Sequence, residues 1–193
     1  KAGLLFHTCF AHPVVIIRKS LLDEYNLRYD DNYRGLEDYE LWYRISKHAD
    51  LVNLPCPLLH YRRHKSQETQ NISPKVVSNL KEFLLNRFSE YISIENKEFA
   101  IVDAYANCNW NEFNNENICT LLSVFSRVIH SRQVIHEKKI KRAMQITLSK
   151  ALVYAINNSK SITIPKRKLY KQSLISGIMP LDWYLKFMYH TFV

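Results

Sequence analysis

The sequence predicts an α/β segment with few strands over residues 1–72, followed by a mostly α-helical region over residues 73–193. Three observations carry that expectation. Val14, Val15, Ile16 and Ile17 form a β-branched run of the kind that suits a buried strand. Residues 50–63 hold two short apolar runs broken by Pro55 and Pro57, which read as an edge-like strand, a kink and a second strand. From Ser73 and Pro74 onward the period changes, and apolar residues recur at helical spacing.

Taken in order, the strand ending at Arg18 is followed by a basic pair and a small helical turn. A polar stretch whose Asn, Asp and Gly favour loop conformations then runs to Gly35, with enough aromatic residues to cover or line a site. Residues 36–49 predict a helix: Tyr39, Trp42, Ile45 and Ala49 fall on one face, acids open the first turn, and Lys47 and His48 close the last. Ser73 is an N-cap with proline at the first helical position, and Val77, Leu80, Leu84 and Phe88 mark the apolar face of the helix that follows. Helices are expected near 74–92, 97–110, 115–131, 136–157, 166–176 and 181–191. The last of these packs Trp183, Tyr184, Phe187, Met188 and Phe192 around Lys186 and His190, and reads as a closing helix docked on the core or as a segment lying on a membrane surface.

The 193 residues and 22.9 kDa suffice for one ordinary domain, or a small domain with an appendage. At 47% hydrophobic and 12% aromatic, the chain has too much to bury for a disordered tail. No apolar run is long enough to span a membrane, and the start lacks the layout of a signal peptide. Cys9, Cys56, Cys108 and Cys119 form no Cys-x-x-Cys pair, which argues against a zinc knuckle or disulfide scaffold and for a reducing cytoplasm. The opening on Lys1, with an apolar stretch directly behind it, reads as a cut edge preceded by further chain.

Net charge is +9, and it is uneven. Residues 1–96 hold 13 Lys/Arg against 12 Asp/Glu, whereas residues 97–193 hold 14 against 6. Much of the excess lies in Lys138, Lys139, Lys141 and Arg142, then in Lys166, Arg167, Lys168 and Lys171. Such groups attract phosphate on a nucleotide, a nucleic acid or an anionic membrane, or simply solvate a helix face.

Three motifs occur in order within residues 12–64: HPVVIIRKSLL, YRGLEDYELWYRIS and LVNLPCPLLHYRRH. In sequence and interval they resemble the C-terminal half of the catalytic domain of family 2 glycosyltransferases, whose fold is of the GT-A type. The resemblance covers roughly residues 1–70. It implies that Asp38 is the base that takes the proton from the acceptor hydroxyl, with Glu37 beside it. It also implies that Arg62 and His64 lie near the nucleotide diphosphate and its metal, with His64 either binding phosphate or ligating the metal. Trp42, one turn beyond the acids, is then a sugar-binding residue, although at helical spacing it reads first as core. His12, before a proline, reads as a core histidine. The chemistry fits the residue types, because inverting transfer needs a carboxylate opposite the leaving diphosphate, and an arginine or imidazole stabilises phosphate charge.

The resemblance further implies a bacterial enzyme with a UDP-sugar donor, a divalent metal (Mn²⁺ or Mg²⁺), an inverted linkage, and a polysaccharide or lipid-linked glycan acceptor. It places the protein in the cytoplasm, with peripheral attachment to an anionic membrane surface at the inner face of the cell membrane as a further expectation. The family's Asp-x-Asp motif and donor-binding half do not occur here, so this chain by itself is expected to be inactive. The competing reading is a non-enzymatic helical interaction module that carries a degenerate remnant of the transferase. A nucleic-acid partner is not expected, since no helix-turn-helix, zinc or aromatic-strand signature accompanies the basic groups.

Overall fold

The computed structural model describes residues 2–6, 8–60, 62, 73–136, 138–182 and 184. Among them the fold is all-helical, which overturns the α/β expectation. Eight helices occur: α1 (Lys19–Glu24), α2 (Glu37–His48), α3 (Pro74–Ser89), α4 (Asn96–Ala106), α5 (Asn115–Ile129), α6 (Arg132–Ile135), α7 (Lys138–Asn158) and α8 (Lys166–Ile175). Short 3₁₀ turns lie at Ala2–Leu5, His12–Val14, Asp31–Tyr33 and Trp110–Glu112. No strand forms among the described residues, and β pairing is confined to an isolated parallel bridge between Asn114 and Ser161.

The missing strands have a physical explanation. Val15 (φ −83°, ψ 135°) and Arg18 (φ −68°, ψ 118°) do adopt extended backbone. A strand, however, also needs a neighbour to pair with, because β propensity measures fit to a pleated, half-buried surface rather than a backbone preference. Here no ladder partner lies alongside among the described residues, Pro13 instead falls in a 3₁₀ turn, and Ile16 is left 93% exposed. Residues 50–60 likewise carry no regular structure, and their two prolines remove ladder donors. GT-A architecture is therefore not what these residues build.

The helices lie close to where apolar periodicity places them, and α6 is an unforeseen single turn. The helix expected near 181–191 falls largely outside the described residues. Chain contacts divide the molecule into two compact units, Gly3–Leu84 and Leu85–Val193, with the division inside α3.

In the first unit α2 is the central element. Its buried face carries Tyr39, Leu41, Trp42, Tyr43 and Ile45, which cluster with Leu4, Leu27 and Phe83. Phe83 is an aromatic hub: the rings of Tyr39 and Tyr43 meet it edge-on at 5.1 and 5.7 Å. Edge-to-face packing of this kind suits the aromatic quadrupole. The Tyr39 hydroxyl donates to the Leu4 carbonyl (2.9 Å), so its polar tip is satisfied within the core. α2 begins without a side-chain cap at Leu36 and ends where Ala49 turns extended.

In the second unit α4, α5 and α7 share one core. α5 buries Ile118, Leu121, Leu122, Val124, Phe125, Val128 and Ile129, and α7 buries Met144, Leu148, Ala151, Leu152, Ala155 and Ile156. Glu95 and Glu98 form a capping box at the start of α4, and the Asn114 side chain caps α5 by accepting from the Asn117 N–H (2.9 Å). α8 runs back along α7: Lys166 Nζ donates to Asn157 Oδ1 (2.9 Å), and past the far end of α8 Gln145 Nε2 donates to the Gly177 carbonyl (2.8 Å).

Candidate functional site

The first turn of α2 places Asp38 at the edge of the first unit. Oδ1 accepts from the Tyr39 backbone N–H at 2.6 Å, which fixes one oxygen against the helix start. Oδ2 faces His12 Nδ1 at 3.9 Å, and the side chains are 22% and 46% exposed respectively. The opposite imidazole nitrogen, Nε2, lies 2.9 Å from the Tyr29 hydroxyl. The Trp42 indole meets the His12 ring edge-on, at 6.1 Å and 81°. The loop, the 3₁₀ turn and α2 thus bring four chemistry-bearing side chains together that are scattered in sequence.

Glu37 sits differently. Its Oε2 accepts from the Gly35 N–H, so it ties down the turn that enters α2. Trp42 is 2% exposed, a core residue rather than an open platform, yet its Nε1 is buried without a hydrogen-bond partner. A buried donor of that sort is costly to leave unpaired. Trp42 also lines an apolar cavity of about 770 Å³, together with Val14, Ile17, Arg18, Ile45 and Leu51.

Electrostatics around the cluster are acidic. Burial, reinforced by the Asp38 and Glu37 carboxylates, pushes the Tyr29 phenol above its ordinary value, so it stays protonated. Behind this layer Arg44 forms a bidentate pair with Glu40, Nε to Oε1 and Nη2 to Oε2, both at 2.6 Å, and also donates to the Arg28 carbonyl. Glu40 is 7% exposed and fully committed to that pair.

Arg62 is exposed. His64 lies outside the described residues, so the metal assignment made to it has no geometry here. Among the described residues no group of three His, Cys, Asp or Glu side chains is arranged to hold a metal ion. Arg62, always cationic, does not ligate one.

The basic residues of the second unit do not make one patch. Lys138 and Lys139 open α7, whereas Lys166, Arg167 and Lys168 open α8 beside the far end of α7. A helix of 21 residues is about 30 Å long, and that length separates them. Arg142 is further engaged with Asp182 (2.5 Å). No described helix is long and apolar enough to cross a membrane.

Sequence reasoning missed His12 and Tyr29. Pro13 signals a turn after His12, but nothing in the chain order shows that the turn faces α2.

Comparison with known proteins points in one direction. The chain is 31% identical over 65 residues to an uncharacterized glycosyltransferase of Haemophilus influenzae, covering 34% of this chain and 20% of that protein. It is 29% identical over 104 residues to the bifunctional glycosyltransferase pgtA of Dictyostelium discoideum, covering 51% of this chain and 13% of that protein. No protein-family model and no solved structure matches. The chain thus spans a fifth or less of the length of these relatives, and its partial similarity to both supports a glycosyltransferase at the level of that broad class.

Proposed function

We propose that this chain carries the acceptor side of an inverting, nucleotide-sugar-dependent glycosyltransferase of family 2, with Asp38 as the base. The observation that carries the proposal is the division of labour within one carboxylate: Oδ1 is held by the Tyr39 N–H, while Oδ2 points toward the His12–Tyr29 side. A carboxylate anchored at one oxygen is oriented in advance for proton transfer at the other.

In the proposed step, Oδ2 accepts the proton of an acceptor hydroxyl as its oxygen attacks the anomeric carbon. The bond from that carbon to the diphosphate oxygen breaks, and the electron pair leaves with the diphosphate. Displacement from the face opposite the leaving group inverts the linkage. Arg62, and His64 with it, are assigned to the diphosphate, whose growing charge a guanidinium stabilises. Trp42, whose side chain lines the cavity, is assigned to the sugar. A UDP-sugar donor, a polysaccharide or lipid-linked acceptor, and an anionic membrane surface nearby complete the proposal.

The test is Asp38→Asn in the intact natural protein that contains this segment. Transfer is expected to be abolished, with UDP-sugar affinity, measured by calorimetry, nearly unchanged. Turnover retained while donor binding is lost would overturn the assignment.

A further inference from the structure

Three groups around Asp38 have a logic that the base assignment leaves unused. A 3₁₀ turn, His12–Val14, opened by Pro13, carries the His12 imidazole to the first turn of α2. Its two nitrogens have unlike neighbours. Nδ1 faces Asp38 Oδ2 (3.9 Å), and an ionised carboxylate only accepts hydrogen bonds. Nε2 lies 2.9 Å from the Tyr29 hydroxyl, which can donate or accept.

In a neutral imidazole one nitrogen bears the proton and the other accepts. The arrangement in which both contacts are favourable puts the proton on Nδ1, toward the carboxylate, and leaves Nε2 to accept from Tyr29. We infer that His12 is the positioning residue of Asp38: the Tyr29 hydroxyl holds the imidazole as its Nδ1–H tautomer, and the positive end of that N–H, at 3.9 Å too far for a direct hydrogen bond, biases Oδ2 toward it electrostatically. This rests on the reading of Asp38 as the base. Tyr29 is suited to the donor role because burial and the neighbouring Asp38 and Glu37 carboxylates keep its phenol protonated. The Trp42 ring edge against His12 restricts the imidazole from its other side and carries no charge of its own.

Tautomers are read directly by long-range ¹H–¹⁵N correlation on this chain, with the His12 signals assigned by their loss in His12→Asn. The Nδ1–H form is expected, and Tyr29→Phe should shift it to the Nε2–H form with the thermal midpoint little changed. An Nε2–H imidazole in the unaltered protein, or one indifferent to Tyr29→Phe, overturns the inference.

In the intact enzyme, His12→Ala is expected to lower kcat roughly 10- to 100-fold with donor KM unchanged. His12→Asn should recover most of it, since the Asn Nδ2–H occupies the place of the imidazole Nδ1–H. Equal loss in both variants would mark His12 as merely structural and overturn the inference. If the Nδ1–H tautomer is found but Asp38→Asn still transfers sugar, the base assignment fails while the His12–Tyr29 pairing stands. If Asp38→Asn is inactive and His12 is Nε2–H, the present inference alone fails.

Discussion

Gly35 passes directly beneath Val76: a β-carbon built on Gly35 would lie 2.7 Å from Val76 Cγ2, and the glycine backbone has φ +86°. This turn delivers the chain into α2, and its N–H is the group that Glu37 holds. Position 35 therefore needs glycine twice, for the left-handed backbone and for the close approach. Gly35→Ala should destabilise the first unit by about 1–2 kcal/mol from the backbone alone, more with the Val76 clash. Urea unfolding checks it, and adding Val76→Ala should restore the steric part but not the backbone part. An unchanged midpoint in Gly35→Ala would contradict the geometry.

The Glu40–Arg44 pair sits at one turn's spacing on the buried side of α2, with Glu40 Oε2 2.6 Å from Arg44 Nη2. The pairing holds the Arg44 guanidinium above its ordinary value, first through the Glu40 hydrogen bond. Removing the cation alone strands a nearly buried carboxylate, so Arg44→Met should cost about 2 kcal/mol, moderated because the Arg44 side chain is 31% exposed. Glu40→Met with Arg44→Met should lose less than Arg44→Met alone. A double-mutant cycle with no coupling would show that the pair is energetically idle.

The second unit should lose stability in alkali. Burial pushes the Tyr105 and Tyr170 phenols up to about 12, with Cys108 and Tyr154 adding to the first and the Asn157 hydrogen bond opposing the second. The folded chain thus holds these protons more tightly than the unfolded one, whose phenols titrate near 10. Their contribution is complete below pH 10 and is lost as pH rises through about 12. Ultraviolet titration of phenolate should show Tyr105 and Tyr170 among the tyrosines that ionise late. Full ionisation at pH 10.5–11 in the folded state, by that absorbance, would refute the burial of both rings.

What the sequence alone determined were the helices and the residue types of the site. Pro74 at a helix start, acids before Tyr39 and the apolar stripe of α5 are local signals, because a helix satisfies its backbone within its own segment. Asp38 was legible for the same reason, as an acid in the first turn of a predictable helix. Strands over residues 14–17 and 50–63 were not decided by the chain, since a strand's hydrogen bonds belong to a neighbour, and no neighbour pairs with these segments among the described residues. Only the tertiary structure brought His12 and Tyr29 to Asp38, took Glu37 into the Gly35 turn, and buried Trp42 at a cavity wall. The contacts of His12 and Tyr29 with the start of α2 join residues far apart in sequence, and such long-range proximity is fixed by how α2 packs its buried face rather than by any local pattern.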